Sequence, residues 1–235
     1  NNFTNIEDPD AWNISDDADY FFYCANETVH GLEIHNPIES SSPVICDMSS
    51  TIASRPIDVN KYDLIFAGAQ KNLGIAGVTI VIVKNKLLSG VNTELLPMFD
   101  YSAHANEASM LNTSPVFSWY VSGLVFDWIH EQGGVEEMAR INKLKSDMLY
   151  DYIDQSEFYN NPVSKPYRSW MNIPFTLSRD GLDDKFLSSA EELGLLNLKG
   201  HRTVGGMRAS VYNAMPIEGI KRLISFMDEF AKLHE

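Results

Sequence analysis

The feature that most constrains the fold is a set of short, continuous apolar runs in the first third of the chain. These runs span residues 20–24, 43–46, 64–67 and 77–83, and the last is rich in β-branched residues. Continuous apolar runs of this length are typical of strands that are buried on both faces of a sheet. We therefore predict an α/β fold whose central strands lie in this region.

Helices are predicted in the second half of the chain, with a few more strands between them. Ser114 and Pro115 suit the start of a helix that Gly133 and Gly134 end. A second helix is expected over residues 135–153, a strand over 170–177 and a helix over 186–193. Short strands follow near residue 198 and over 207–212, and a last helix begins at Pro216. We place a boundary near residue 140, between domains 1–140 and 141–235.

The apolar side chains of these helices recur at helical spacing and are predicted to face the core. In the first helix they are Phe117, Tyr120, Val121, Leu124, Val125 and Trp128; in the second they are Met138, Ile141, Leu144, Met148 and Leu149; in the last they are Ile220, Leu223, Ile224, Met227, Phe230 and Ala231.

Charge and composition exclude several classes of function. The 235 residues carry a net charge of -14, which argues against a broad nucleic-acid or anionic-membrane surface. No apolar run approaches the ~20 residues of a membrane span, and the acidic N-terminus does not resemble a signal peptide. Cys24 and Cys46 lie in apolar runs and are expected to be reduced core thiols. These features predict a soluble, cytoplasmic protein.

Two polar residues stand where predicted strands end. Asp47 closes the run 43–46, and Lys71 follows the run 64–67. Ligands in open α/β sheets bind beyond the carboxyl ends of strands, so both groups can reach one crevice. The spacing alone is equally compatible with a turn at Asp47 and a solvated Lys71. The small, apolar residues of 66–72 favour a bound ring beside the lysine.

A glycine-rich stretch near the C-terminus carries separate cationic groups for anions. His201 and Arg202 are followed six residues later by Arg208, and the arginine fork suits both carboxylate and phosphate. A solvated loop is the alternative for the first two. His30 and His35 have no cysteine or acidic pattern that would complete a metal site, so no metal is predicted.

Several segments together resemble the phosphoserine aminotransferases, and most closely their bacterial branch. They are residues 24–31, 46–50, 66–72, 112–113, 199–202 and 205–210, and the likeness runs in order from about residue 18 to the last residue. The resemblance implies the type I pyridoxal-phosphate (PLP) transferase fold. It also implies transfer of an amino group between L-glutamate and 3-phosphohydroxypyruvate, which gives 2-oxoglutarate and O-phospho-L-serine for serine biosynthesis. In bacteria it implies a role in pyridoxine biosynthesis as well.

The resemblance assigns the cofactor contacts. Lys71 is implied to be the lysine that carries PLP, and Asp47 to pair with the pyridinium nitrogen. Thr28 is implied to hydrogen-bond the ring near its 3-hydroxyl group, and Gln70 to contact the PLP phosphate. These four residues are the expected cofactor site of this chain.

The resemblance also assigns the substrate contacts and a homodimer with a shared site. Asn112 and Thr113 are implied to reach the PLP phosphate of the neighbouring subunit. Arg208 is implied to bind the substrate α-carboxylate. His201 and Arg202 are implied to bind the distal phosphate of phosphoserine or the side-chain carboxylate of glutamate.

The start of the chain departs from the family. The N-terminal part, about a third of such enzymes, has no counterpart here, and in the family it supplies a ring-stacking aromatic residue, phosphate donors and a His-Arg pair. We therefore expect a companion N-terminal segment, without which strands such as 77–83 would expose apolar faces. The alternatives are another type I transaminase, such as one acting on serine or alanine with glyoxylate, and an inactive fragment.

Overall fold

A mixed sheet lies in the first half of the chain. The computed structural model describes residues 3–89 and 95–234. The strands β1 (Phe21–Cys24), β4 (Val44–Asp47) and β5 (Leu64–Gly68) run parallel, and β6 (Thr79–Val83) is antiparallel to β5. The sheet order is β1-β4-β5-β6. The predicted α/β class and all four predicted strands are confirmed.

One strand differs from its expected environment. The run 77–83 was expected in the middle of a sheet, but β6 lies at the sheet edge as an antiparallel strand, and Ile82 is 40% exposed. This agrees with the expectation that the strand would expose an apolar face. A separate hairpin joins β2 (Asn26–Glu27) to β3 (Leu32–Glu33), and it follows β1 directly.

Four of the five described α-helices begin and end close to the predicted residues, and α1 was not predicted. They are α1 (Tyr101–Asn106), α2 (Val116–Glu131), α3 (Gly134–Gln155), α4 (Asp183–Glu192) and α5 (Ile217–His234). Pro115 occupies the N-cap position of α2 and no side chain caps it, so the expected cap by Ser114 is wrong. Among the residues described, no helix is long and apolar enough to cross a membrane.

The prediction for the apolar stripe of α2 is wrong for Phe117, Tyr120 and Leu124 and is confirmed for Val125 and Trp128, which pack half-buried against the core of the first sheet. Phe117 and Tyr120 are 70% and 63% exposed, whereas Ser118 and Ser122 are buried. The reason is the close approach of Gly74, where an added Cβ would lie 2.7 Å from Ser122 Oγ. Only small side chains fit at so short a separation, so the hydroxyl face of the helix turns inward and the aromatic residues turn outward.

A second, antiparallel sheet lies in the later part of the chain. It joins β7 (Tyr159–Asn160), β8 (Asn172–Leu177) and β9 (Met207–Ser210) in that order. Its core combines side chains of α3, α4 and α5 with aromatic edge-to-face contacts such as Phe175 against Phe186. All the predicted core residues of α5 are buried or half-buried there, which confirms the apolar face of that helix.

Helix α3 connects two hydrophobic cores, the first packed against the mixed sheet and the second against the antiparallel sheet. Met138 and Ile141 pack with the first core, and Leu149 packs with the second. Leu144, expected to be buried, is 38% exposed, whereas the polar Asn142 and Lys145 are fully buried. The helix runs through residue 140 without interruption, so each half of one helix serves a different core.

Candidate active site

The parallel strands end on the same side of the sheet, and Asp47 and Lys71 both lie at these carboxyl ends. Asp47 is the last residue of β4, and its Oδ1 accepts a hydrogen bond of 2.8 Å from the Ser49 backbone N–H. Lys71 follows β5 by three residues. The Gly68 N–H donates to Ser49 Oγ at 3.0 Å. The loop that orients the carboxylate is therefore tied to the segment that carries the lysine.

The charges of both residues act on the end of the neighbouring strand. Cys24 pairs with Asp47 in the register of β1 and β4. Desolvation raises the pKa of the Cys24 thiol, the Asp47 carboxylate raises it further, and the Lys71 ammonium group lowers it. Cys46 is fully buried as expected, but Cys24 is exposed, so the expectation of two core thiols is wrong for Cys24. Both cysteines are free.

Thr28 and Arg208 are brought together although they lie far apart in the sequence. Arg208 Nη1 donates to the Thr28 carbonyl oxygen at 2.8 Å. The Arg208 Nε atom is buried and has no hydrogen-bond partner. A buried guanidinium donor without an acceptor is costly, and an anionic ligand at this position would satisfy it. The turn at Thr28 is held by Glu27, whose carboxylate accepts from the Val29 and His30 N–H groups at 2.8 Å.

The backbone of Arg208 helps to close the loop 199–206, which carries the other predicted anion-binding residues. Its N–H donates to the Leu198 carbonyl at 2.7 Å, and Gly200 N–H donates to the Gly206 carbonyl at 2.8 Å. His201 and Arg202 lie at the tip of this loop, where His201 Nδ1 is 2.8 Å from Thr203 Oγ1. Arg202 is exposed. His201, Arg202 and Arg208 therefore lie on one loop and the strand at its base.

Three further predicted contacts lie at the surface of the described chain. The Gln70 amide folds over Gly68, whose added Cβ would lie 3.0 Å from Gln70 Nε2. Asn112 and Thr113 are exposed in the segment between α1 and α2, and Asn112 Nδ2 donates to the Thr113 carbonyl at 3.3 Å. The roles assigned to these residues stay predictions.

The sequence analysis missed a buried polar network beside the site. Asn26 Nδ2 donates to Asn172 Oδ1 at 2.9 Å and to Ser50 Oγ at 3.0 Å. Asn172 Nδ2 in turn lies 3.2 Å from the Tyr212 hydroxyl. One signal was present in the sequence, because Asn172 interrupts an otherwise apolar strand, and buried amides need partners.

An aspartate and a lysine at the carboxyl ends of parallel strands, together with a buried arginine Nε that has no hydrogen-bond partner, agree with the family comparison. The sequence profile described as aminotransferase class-V matches residues 2–223. The chain belongs to the class-V aminotransferase family and has the type I PLP-dependent transferase fold.

Proteins that are 38–52% identical to this chain are named phosphoserine aminotransferase. A phosphoserine aminotransferase of Acinetobacter baumannii (strain ACICU) is 52% identical over 227 residues, which are 97% of this chain and 63% of that protein. The solved phosphoserine aminotransferase of Bacillus circulans subsp. alkalophilus is 41% identical with a TM-score of 0.96, and the match covers 100% of this chain and 65% of that one. The PLP-bound enzyme of Trichomonas vaginalis is 38% identical with a TM-score of 0.89, covering 96% of this chain and 64% of that one. The chain thus spans less than two thirds of the length of these relatives.

Proposed function

We propose that this chain is the cofactor- and substrate-binding part of a phosphoserine aminotransferase. The reaction would move an amino group between L-glutamate and 3-phosphohydroxypyruvate, giving 2-oxoglutarate and O-phospho-L-serine. The observation that carries the proposal is the meeting of Asp47 and Lys71 at one sheet edge, with the unpaired Nε of Arg208 held beside Thr28. The names of the 52%-identical relatives support the same substrates.

The residues at the sheet edge fit pyridoxal phosphate. The segment before Lys71 is built of small residues, with Gly68 between the fully buried Ala67 and Ala69. The absence of large side chains at this strand end would let a flat ring approach the backbone. Gln70 and Thr28 add polar groups for the phosphate and the ring hydroxyl. When bound, pyridoxal phosphate supplies an electron sink for negative charge that develops at the substrate Cα.

Each residue of the chain then has a defined task. Lys71 would carry the cofactor, and its amine, once displaced by the amino donor, would remove the proton from the substrate Cα. The Asp47 carboxylate, oriented by Ser49, would keep the ring nitrogen protonated. Arg208 would hold the α-carboxylate and so fix which Cα–H bond faces Lys71.

The loop tip would provide the substrate specificity. His201 and Arg202 offer a second anion site beyond Arg208, which a substrate with an uncharged side chain does not need. This favours phosphoserine and glutamate over the alternative pair of alanine or serine with glyoxylate. An alanine–glyoxylate aminotransferase of Nostoc sp. matches this chain with a TM-score of 0.71 at 14% identity, and this likeness concerns the fold alone. A role in pyridoxine biosynthesis is the second activity that the resemblance implies.

We further propose a homodimer and a companion N-terminal segment. The outward face of α2 exposes Val116, Phe117 and Tyr120, and Phe99, which lies just before α1 in the chain, is 73% exposed. So large an apolar surface is typical of an interface. Asn112 lies four residues before Val116, the first residue of α2. A second copy bound to this face would therefore have its phosphate site close to the Asn112 side chain of the first copy. The N-terminal segment would cover the edges of the sheet at β1 and β6.

Two further aspects of the proposal concern organisation and location. We place the domain boundary within α3 near residue 140, supported by the passage of that helix from the first core to the second. A cytoplasmic location is supported by the two free cysteines, which are typical of a reducing compartment.

The test is a transamination assay on the protein with the N-terminal segment present. Glutamate with 3-phosphohydroxypyruvate should yield 2-oxoglutarate, whereas glyoxylate as acceptor should react far more slowly. Arg202→Ala should raise KM for 3-phosphohydroxypyruvate by about tenfold or more, because it removes a charge-assisted hydrogen bond. Lys221→Ala is the matched control, since it removes an exposed cation of α5 that is not part of the loop. A preference for glyoxylate would refute the proposal.

The competing possibility, an inactive fragment, is tested by the same protein without its companion. The 235-residue chain mixed with pyridoxal phosphate is expected to show weak or no visible absorbance from cofactor held on Lys71. Addition of the N-terminal segment is expected to restore the band and the activity together. If both forms stay colourless and inactive, the chain has no cofactor site.

A further inference from the structure

A loop after β9 connects the two halves of the candidate site. Asn213 follows β9, the strand that carries Arg208, by three residues. Its backbone N–H donates to Asn72 Oδ1 at 3.0 Å, across 141 positions of sequence. Asn72 is the residue after Lys71, and its Nδ2 donates to the Ile52 carbonyl at 3.1 Å. The segment of the lysine and the strand of the arginine therefore meet through one amide side chain.

The Asn213 side chain secures the same junction from its other side. Its Nδ2 donates to the Ala53 carbonyl at 2.9 Å, and its Oδ1 accepts from Asn142 Nδ2 at 2.8 Å. Ala53 has a φ of +56°, a left-handed conformation that a non-glycine residue adopts only at a cost. Asn72 and Asn213 are 4% and 5% exposed, so neither can replace its protein partners with bulk water.

Lys145 holds the rest of the loop against α3. Its ammonium group donates to the carbonyls of Val211, Tyr212 and Met215 at 3.1, 2.9 and 3.0 Å. The side chain is fully buried, and this burial lowers the pKa of Lys145 to about 8. The loop is thus fixed to α3 by Lys145 and to the Lys71 segment by Asn72, and it leaves the lysine and the arginine little freedom to move relative to each other.

We propose that Asn72 and Asn213 are positioning residues that set the separation between the Lys71 amine and the Arg208 guanidinium group. The inference rests on the proposed function, in which one substrate must contact both groups. A substrate whose carboxylate lies on Arg208 places its Cα at a fixed distance from that residue. Proton removal by Lys71 therefore depends on the spacing of the two segments, and a misplacement of about 1 Å can slow such a step 10²-fold.

Kinetics on the complete protein test the proposal. Asn72→Ala and Asn213→Ala should each lower kcat/KM for glutamate by about tenfold or more, with a fall in kcat as well as a rise in KM. Asn72→Asp keeps an acceptor for the Asn213 N–H but places an oxygen against the Ile52 carbonyl in a buried position, so it should not restore kcat. Tyr159→Phe is the matched control, because it removes a buried hydrogen bond of 2.8 Å to the Met227 carbonyl in the second core. It should lower the unfolding midpoint similarly and leave kcat and KM unchanged.

Hydrogen exchange of the cofactor-free protein supplies a second readout that needs no activity. Asn72→Ala should speed exchange both at residues 71–73 and at residues 208–213, whereas Tyr159→Phe should affect neither segment. Exchange that rises on one side alone, or variants with wild-type kcat and KM, would overturn the proposal. If the wild-type protein transaminates no acceptor, the proposed function fails, and the exchange experiment alone then decides whether the two segments are coupled. Should Asn72→Ala not fold, Asn213→Ala tests the junction from its other side, because it keeps the backbone N–H bond to Asn72 and removes the side-chain bonds to Ala53 and Asn142; it should speed exchange at residues 208–213, and unchanged exchange there would overturn the role of Asn213.

Discussion

The contact between Gly74 and α2 allows a sharp test of how the lysine segment is held. Gly74 lies three residues after Lys71 and has a φ of +151°, which side-chain-bearing residues rarely adopt. A Cβ added there would lie 2.7 Å from Ser122 Oγ and 3.3 Å from the Ser122 Cα. Gly74→Ala therefore introduces both backbone strain and a steric clash, and the two effects can be separated by a second substitution.

The expected magnitude follows from these two effects. An unfavourable φ costs about 1–3 kcal/mol, and overpacking against the buried face of α2 adds about 1–3 kcal/mol. Gly74→Ala should thus lower the free energy of unfolding by about 2–6 kcal/mol. Ser122→Ala removes the clashing oxygen, which is buried and has no hydrogen-bond partner, so this change alone should be neutral or slightly stabilising. In the double variant, the part of the destabilisation that comes from the steric clash should disappear, and the part that comes from the unfavourable φ should remain.

The assay is urea unfolding of the four proteins, combined with titration of pyridoxal phosphate followed by visible absorbance. Gly123→Ala is the matched control, because this helical glycine has no heavy atom within 4 Å of its added Cβ. It should raise the free energy of unfolding by up to about 1 kcal/mol through helix propensity. Gly74→Ala should also weaken cofactor binding, since its strain acts on the Lys71 segment.

Two results would refute this reasoning. If Gly74→Ala changes the free energy of unfolding by less than about 0.5 kcal/mol, the loop is free to move away from α2, and the close packing has no energetic consequence. If Ser122→Ala recovers nothing in the Gly74→Ala background, the cost is entirely conformational, and the contact does not determine which face of α2 is buried.

Three further predictions concern the site and its sheet. Lys71→Ala should abolish the visible band of bound pyridoxal phosphate, and borohydride treatment of the wild type followed by peptide mapping should label Lys71; a label on another lysine contradicts the assignment. Asp47→Asn should lower kcat by about 10²–10³-fold with a much smaller change in cofactor affinity, and near-normal turnover would make Asp47 a turn residue only. Burial alone would raise the pKa of Asp63, but hydrogen bonds from Lys86 and the Val44 backbone outweigh it and lower the pKa to about 2. Because this folded-state value is below that of the unfolded chain, the contribution of Asp63 is complete above pH ~4 and is lost as the pH falls further, by about 1–2 kcal/mol after solvent screening. Urea unfolding at about pH 6 and pH 3 should show a smaller acid loss in Asp63→Asn than in the wild type, and equal losses would exclude the ion pairs as its source.

The sequence by itself determined the four strands of the first sheet, most helix boundaries and the central pair of the candidate site, whereas the short strands β2, β3 and β7 were missed and the strand predicted near residue 198 is only an isolated bridge at Lys199. Apolar runs of four to seven residues predict strands because consecutive side chains of a strand point to opposite faces, and both faces are apolar when the strand is buried. Asp47 and Lys71 could be brought to one edge from sequence because parallel strands necessarily end on the same side of a sheet. The C-terminal helix followed from its regular apolar spacing, and its stripe is buried as predicted.

The tertiary structure alone decided the environments that depend on distant partners. The apolar stripe of α2 has the periodicity of a core face, but the close approach of Gly74 to Ser122 and of Gly77 to Ser118 places the two serines inside, and Phe117 and Tyr120 are exposed. Lys145 reads as a solvated residue, yet three carbonyls of a loop some seventy positions away surround its ammonium group. The bond between Asn213 and Asn72 spans 141 positions. Sequence periodicity reports the spacing of side chains along one element, whereas these contacts depend on which two elements meet, and only the packed chain specifies that.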